Sequence, residues 1–195
     1  MRMGANQAGA VRELPPPIVR TALVFYAVLL AAALLWARLA DRPLGWASAE
    51  AAQRGVDLAV DLGSGALVGL GFVLASGAWT RATRSGERLA RALAAALGPL
   101  APRECLILAL ASGVAEEAFF RGAMQPQLGL LATSALFALA HFVPRRDLLP
   151  WAAFSLVAGL ALGLLFDATG NLVAPVVAHA LVNGVNLRLL TRDAV

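Results

Sequence analysis

Long apolar runs, separated by short polar segments, constrain the fold of this chain more than any other feature. The runs reach the ~20 residues that a transmembrane helix needs. Hydrophobic residues make up 59% of the 195 residues and charged residues 14%, so too little polar surface is present to cover a soluble globule. The sequence therefore predicts an all-α, polytopic membrane protein, a bundle of about six transmembrane helices forming a single integral membrane domain over residues 1–195.

Run length and turn residues predict where the spans begin and end. The first run is too long for a cleavable signal, so we expect a retained span. The predicted spans cover approximately Ile18–Ala40, Val56–Trp79, Glu104–Met124, Gln127–Phe142, Leu149–Phe166 and Leu172–Leu190. Turns are predicted at Pro126, Pro144–Asp147 and Asp167–Asn171. Small residues at four-residue spacing predict close helix contacts, in the sets Gly65 and Gly69, and Ser155, Gly159 and Gly163.

Sixteen arginines carry all the side-chain positive charge outside the histidines, and most lie between the apolar runs. This distribution argues against nucleic-acid binding and favours contact with membrane lipids. Four of the arginines and three leucines occupy opposite sides of one helical wheel and predict an amphipathic helix on the membrane surface: Arg81, Arg84, Arg88 and Arg91 against Leu89, Leu93 and Leu97.

The arginines also predict an orientation. Twelve lie on the termini and loops of one side, including Arg2 and Arg12, whereas the other side has only Arg38, Arg42 and Arg54. The positive-inside rule then places both termini in the cytoplasm, in what we expect to be a bacterial inner membrane.

Three further residues near the spans have simpler interpretations. Asp57 and Asp61 start the second predicted span, and they are either functional or, as we favour, at the interface where the helix emerges into water. The single cysteine, Cys105, cannot form an intramolecular disulfide and is interpreted as a small buried apolar residue.

Two adjacent glutamates, Glu116 and Glu117, lie inside the third predicted span. An ionisable side chain at bilayer depth costs roughly 2.5 to 3.5 kcal/mol on insertion scales, so it normally faces a protein interior where it has a function. Arg121 follows Glu117 by four residues, in the order that favours an ion pair. Because two such close carboxylates do not ionise equally easily in a low dielectric, we expect Glu117 to be held charged and Glu116 to serve as a general base.

The only two histidines, His141 and His179, lie in two later apolar runs. His141 follows Phe137 by four residues and Asn183 follows His179 by four, so each pair shares one helix face. A lone intramembrane histidine often does no more than hydrogen-bond a neighbouring helix. Helix packing does not explain two glutamates, two histidines and an asparagine together, and the set predicts a catalytic site.

At these residues the chain resembles the CPBP family, the CAAX proteases and bacteriocin-processing enzymes, also called Abi proteins. The resemblance covers about residues 104–190, and its three motifs occur in the family's order on three predicted spans. The Glu-Glu-x-x-x-Arg motif corresponds to Glu116, Glu117 and Arg121, Phe-x-x-x-His to Phe137 and His141, and His-x-x-x-Asn to His179 and Asn183.

The resemblance implies an intramembrane endopeptidase. Hydrolysis needs a base, a positioned water and donors for the developing negative charge, and the residues themselves are compatible with that scheme. The roles that the resemblance implies are water activation by Glu116 and His141, oxyanion stabilisation by His179 and Asn183, and orientation of the set by Glu117 with Arg121, supported by Phe137.

The sequence leaves the metal dependence open between two mechanisms. Glu116, His141 and His179 could supply three zinc ligands and leave a fourth position for water. There is no His-Glu-x-x-His run on one helix, however, and a glutamate base with an asparagine donor needs no metal. We favour the glutamic-type mechanism without a cofactor, with a zinc metallopeptidase as the alternative.

The expected substrate is a membrane-associated peptide or protein, such as a CAAX-like tail, a leader peptide or a C-terminal sorting or anchor segment. Two other classes compete with this interpretation. A proton-coupled transporter would place titratable groups at several depths and in related halves, whereas this chain concentrates them in its second half. A non-catalytic immunity or assembly scaffold would not need the complete set of polar residues.

Overall fold

The computed structural model describes residues 16–192, which are almost entirely helical. The strand-like pairing within this range is one isolated antiparallel bridge between Trp46 and Asn171. The predicted all-α fold is therefore confirmed. In chain order the helices are α1 (Pro17–Leu39), α2 (Ala49–Arg54), α3 (Leu58–Ala82), α4 (Arg84–Leu97), α5 (Pro102–Glu117), a π-helical segment (Ala118–Met124), α6 (Gln125–Ala140), α7 (Leu149–Thr169) and α8 (Val173–Thr191).

Within residues 16–192, four helices are long and apolar enough to cross a membrane: α1, α3, α7 and α8. The number rises to five if the bent pair formed by Arg84–Leu97 and Pro102–Ala140 is counted as one span. The chain is thus an integral membrane protein with a polytopic helix bundle. The expected number of six stays a prediction. Arg2 and Arg12, which contributed to the predicted orientation, lie outside the described residues.

The helical path breaks near the boundary between the third and fourth predicted spans, but the turn predicted at Pro126 is wrong. Pro126 lies in the first turn of α6, where a missing backbone N–H costs little. The path breaks three residues later at Gly129, whose φ of 79° and ψ of 167° suit only glycine. From there to Ala140 the helix is only about 16 Å long, half of a hydrocarbon core. His141 follows directly at the end of this short helix.

Small residues bring the helices into close contact, as their spacing predicted. α3 packs on α8 along Gly65 and Gly69, where a Cβ atom at Gly65 would lie 2.5 Å from the carbonyl oxygen of Ala174. α7 packs on α6 along Gly159 and Gly163, where added side chains would meet residues of α6. These contacts hold α7 and α8 against their neighbours and so position the polar side chains that the helices carry.

α1 packs along α5 and the π-helical segment. Near the start of α1, Val19 joins Leu100, Leu108 and Cys105 in one buried cluster. Farther along, Ala33 packs against the π-helical segment. Cys105 is 2% exposed, as its interpretation required.

The predicted amphipathic helix is α4. Its arginines, Arg84, Arg88 and Arg91, are exposed, and Leu89 is buried. Arg81 belongs instead to the last turn of α3, because the chain leaves the helical conformation between α3 and α4.

The two aspartates at the start of α3 have different environments. Asp57 is exposed and caps the helix, accepting from the backbone N–H groups of Ala59 and Val60. Asp61 is 2% exposed, and its Oδ2 accepts from Nδ2 of Asn171 at 2.8 Å. The predicted exposure to water is wrong for Asp61, because Asn171, in the turn between α7 and α8, covers it.

Candidate active site

Glu116 and Glu117 are the last two residues of α5, immediately before the helix widens into the π-helical segment. Widened helical turns occur often at functional sites. Glu116 is 7% exposed and Glu117 is fully buried, as is Arg121 inside the π-helical segment. Three ionisable side chains are therefore buried within one helical turn or so of each other.

The expected ion pair between Glu117 and Arg121 is present. Arg121 Nη1 donates to Glu117 Oε1 at 3.2 Å, and Nε lies 3.2 Å from Oε2. Nη2 donates to the carbonyl oxygen of Gly159 in α7 at 3.0 Å, and the guanidinium carbon lies 4.5 Å from the centre of the Phe137 ring in α6. Arg121 thus ties α6 and α7 to the carboxylate of Glu117.

Glu117 also holds His179. Nδ1 of His179, in α8, lies 2.6 Å from Glu117 Oε1. A carboxylate only accepts hydrogen bonds, so Nδ1 carries the proton in this bond. The series Arg121, Glu117, His179 therefore determines both the position of the ring and which of its nitrogens faces Glu116.

The Glu116 carboxylate lies close to both histidine rings. Its Oε2 is 3.7 Å from Nε2 of His141 and 4.0 Å from Nε2 of His179, longer than direct hydrogen bonds. This oxygen is buried, and it has no hydrogen-bond partner within residues 16–192. Because buried polar atoms are nearly always satisfied, the oxygen is suited to bind a small ligand such as water.

His141 is oriented by Phe137, four residues earlier. Its Nδ1 lies 2.8 Å from the Phe137 carbonyl oxygen, which can only accept, so Nδ1 donates and the neutral ring presents an unprotonated Nε2 to Glu116. The ring centre lies 4.5 Å from that of Phe137 and 5.2 Å from that of Trp151 in α7. Aromatic side chains on both sides keep the ring in place.

Asn183 lies one turn beyond His179 on α8 and contacts α5. Its Nδ2 donates to Ser112 Oγ at 2.9 Å, and Ser112 in turn donates to the Ala109 carbonyl oxygen at 3.2 Å. The amide has a second N–H group that can serve another acceptor. Sequence analysis missed Ser112, although its spacing of four residues before Glu116 places both on one face of α5.

A family match covers the part of the chain that carries these side chains. Residues 99–185 match the family model described as type II CAAX prenyl endopeptidase Rce1-like. This part of the chain belongs to the CAAX protease family. The uncharacterized protein YpbD of Bacillus subtilis (strain 168) is 39% identical over 82 residues, which are 41% of this chain and 42% of that protein. The matched stretch thus spans less than half of that relative, and no solved structure gives a significant match.

The CAAX protease domain contains all seven residues of the three motifs, on α5, the π-helical segment, the end of α6 and α8. α1 and α3 lie outside it, yet both pack on its helices. The stretch predicted from the motifs, residues 104–190, corresponds closely to the matched one.

A cavity of about 60 Å³ opens onto the site of the CAAX protease domain. His141, His179 and Asn183 form its polar wall, and the rest of the lining is mainly aromatic and aliphatic. Phe72 of α3 contributes to this lining, so a helix outside the domain helps to shape the cavity. Such a volume accommodates a few water molecules or a small apolar group.

The site contains side chains of the kinds that bind zinc, at separations wider than those in a tetrahedral zinc site. Glu116 Oε2 and the two Nε2 atoms are usual zinc ligands, and Glu117 bonds the other nitrogen of His179, as second-shell carboxylates do. Ligand atoms about 2.0 Å from one tetrahedral zinc lie roughly 3.4 Å apart, closer than the observed 3.7 and 4.0 Å. Within residues 16–192, no group of three or more His, Cys, Asp or Glu side chains is arranged to hold a metal ion.

Proposed function

We propose that this protein is an intramembrane endopeptidase that hydrolyses a peptide bond in a membrane-associated substrate, with Glu116 as the general base. The observation that carries the proposal is the buried, unpartnered Oε2 of Glu116, facing Nε2 of His141 and of His179 across gaps of 3.7 and 4.0 Å. A carboxylate oxygen and two ring nitrogens around a narrow gap are suited to activate water. The CAAX protease domain at residues 99–185 supports peptide hydrolysis.

The first step is attack by water. A water molecule between the two side chains donates one proton to Glu116 Oε2 and the other to Nε2 of His141, which leaves an oxygen lone pair for the substrate. The water oxygen forms a bond to the peptide carbonyl carbon, its proton passes to Glu116, and the carbonyl electron pair moves onto the oxygen. The resulting oxyanion needs donors.

His179 and Asn183 are the proposed donors. The ionised side chains of Glu116, Glu117 and Arg121 sum to one negative charge, so one further proton neutralises the buried cluster, and Glu117 beside Nδ1 favours His179 as its carrier. The protonated ring presents Nε2–H to the site, and the second N–H of Asn183 adds another donor. Collapse of the intermediate breaks the C–N bond, and the leaving amine takes the proton from Glu116.

Among membrane-associated substrates, CAAX-like tails, leader peptides and C-terminal sorting or anchor segments all remain proposals for this chain. The mainly apolar cavity beside His141 and Asn183 supports a substrate with an apolar side chain near the cleaved bond. We also propose a bacterial inner membrane with cytoplasmic termini, from the arginine distribution. Reporter fusions at Glu50 and Val195 should then report opposite sides, and a shared side would contradict this orientation.

The test uses the full chain reconstituted in lipid vesicles and offered three peptides: a prenylated C-terminal tail, a lipid-anchored leader and a segment with a C-terminal transmembrane anchor. Mass spectrometry should show cleavage at one bond of at least one peptide by the wild type and none by Glu116→Gln. Folded wild-type protein that cuts no membrane-associated peptide in this set would contradict the proposal and favour the transporter or scaffold interpretation.

The same assay tests the metal-free mechanism. Activity that is indifferent to strong chelators, in protein without stoichiometric metal, is the expected result. Chelator-sensitive activity that returns with zinc, together with about one bound metal per chain, would support the zinc alternative with Glu116, His141 and His179 as ligands.

A further inference from the structure

Phe72 of α3 lies in the wall of the active-site cavity, although α3 is outside the CAAX protease domain. α3 packs on α8 so closely that a Cβ atom at Gly69 would lie 3.0 Å from the carbonyl oxygen of Ala178, the residue before His179. Phe72 follows Gly69 by three residues, so both lie on one face of α3. The close contact of the two helices therefore holds Phe72 beside the part of α8 that carries His179 and Asn183.

An aromatic residue of α7, Phe154, packs against Phe72 in the same wall of the cavity. The ring centres lie 5.5 Å apart and the ring planes cross at 85°, the edge-to-face arrangement that aromatic pairs favour. Neither side chain carries a polar atom, so neither can transfer a proton. Their contribution to the site is the shape of the cavity, and neither ring can move aside without giving up its contact with the other.

The volume of the cavity limits which side chain can enter it. The cavity measures about 60 Å³, whereas a cavity that binds benzene inside a protein has roughly 150 Å³. A polar side chain placed against the two phenylalanine rings would lose its hydration and gain no hydrogen bond from them. The space beside His141, His179 and Asn183 therefore suits a small aliphatic side chain, of the size of alanine or valine, and is too small for an aromatic ring.

We propose that Phe72 is a specificity-determining residue, which together with Phe154 limits the substrate side chain next to the cleaved bond to a small aliphatic one. This inference rests on the proposed function, because the same cavity is lined by the groups assigned to water activation and oxyanion binding. A helix outside the CAAX protease domain then selects among substrates. Removal of the Phe72 ring leaves a space of about the size of that ring, so an aromatic side chain should enter the enlarged cavity.

The test compares the wild type with Phe72→Ala, as full chains in vesicles, on a peptide that the wild type cleaves at a mapped bond. Each residue flanking that bond is changed in turn to alanine, valine and phenylalanine, and kcat/KM is measured for every peptide. At one flanking position, the wild type should have a kcat/KM for the valine peptide at least about 10-fold above that for the phenylalanine peptide. Phe72→Ala should lower this ratio by about 10-fold or more, because the aromatic side chain gains room.

Leu74→Ala is the matched control, since Leu74 lies two residues farther along α3, is 68% exposed and does not line the cavity. It should keep the wild-type preference. Phe154→Ala removes the other ring and should relax the preference as well, which provides the test if Phe72→Ala does not fold. An unchanged preference in the folded phenylalanine variants, or an equal change in Leu74→Ala, would overturn this inference alone. A wild type that cleaves no membrane-associated peptide would overturn the proposed function and this inference with it.

Discussion

Two pairs of acidic residues lie in the helices of this bundle, and their surroundings differ. Asp57 caps α3 with two backbone N–H groups, and buried Asp61 accepts from the Asn171 amide. Glu116 is nearly as buried as Asp61, at 7% and 2% exposure, yet one of its oxygens has no hydrogen-bond partner in the described part of the chain. Both pairs thus contain a buried carboxylate, and Glu116 differs from Asp61 in having an oxygen without a hydrogen-bond partner.

Glu117 is intermediate between these two cases. It has an arginine and a histidine as partners, although its Oε2 meets Arg121 Nε at 3.2 Å without the alignment of a hydrogen bond. The three buried carboxylates therefore differ in how completely protein groups hydrogen-bond to them, in the order Asp61, Glu117, Glu116. Changing each acid to its amide tests that ranking with nearly the same side-chain volume.

The largest effect is expected for Glu116→Gln. The amide fills the same space but cannot accept the water proton, so kcat should fall by about 100- to 10,000-fold. Thermal unfolding in detergent should stay near that of the wild type, because Oε2 of Glu116 has no protein partner to lose. Wild-type turnover in this variant, at wild-type abundance, would remove Glu116 from the mechanism.

Glu117→Gln should lower both stability and activity. It leaves fully buried Arg121 without its counter-charge, and breaking such a pair typically costs about 3 to 5 kcal/mol. The measurements are the yield of folded protein and its thermal unfolding. Glu87→Gln is the matched control, because Glu87 and Arg91 form an exposed pair at the same spacing. That pair should contribute about 0.5 kcal/mol or less. Equal losses in the two variants would contradict a special role for burial.

Asn183→Ala should reduce kcat by about 100-fold through loss of an oxyanion donor. The matched control is Asn186→Ala, also on α8, which removes an amide whose oxygen accepts from Ser76 of α3 at 3.3 Å. Steady-state kinetics should show the loss in the first variant only. A similar loss in both would mean that disturbed packing of α8, and not the missing donor, lowers turnover.

Most of the lipid-facing architecture could be predicted from the sequence, because apolar runs report directly on transfer into a bilayer. The predicted Ile18–Ala40 and Val56–Trp79 correspond to α1 and α3 within a few residues at each end. The widened segment and the break at Gly129 could not be predicted, since neither changes the apolar pattern of the sequence. A proline in the first turn of a helix does not end that helix, so Pro126 was a poor indicator of a break.

The site was predictable as a set of residues but not as a set of bonds. Spacing along one helix predicted the pair of Glu117 and Arg121, which the structure contains. The bonds from Glu117 to His179 and from Asn183 to Ser112 join different helices, and their formation depends on crossing angles that helical periodicity does not specify.

The smallest effect is expected for Asp61→Asn, which changes the buried carboxylate that has a hydrogen-bond donor in Asn171. Asparagine keeps an oxygen that can accept from the Asn171 amide, so only the charge assistance of that bond is lost, about 1 kcal/mol of stability. Asp61 precedes the cavity residue Phe72 by eleven positions on α3, about 16 Å along the helix axis, too far to contact the reacting groups. Turnover per folded molecule should therefore stay within twofold of the wild type, with a slightly lower unfolding temperature. A loss of turnover comparable to that of Glu116→Gln would show that the start of α3 takes part in catalysis, and hydrogen-bond satisfaction would then not separate structural from catalytic carboxylates in this protein.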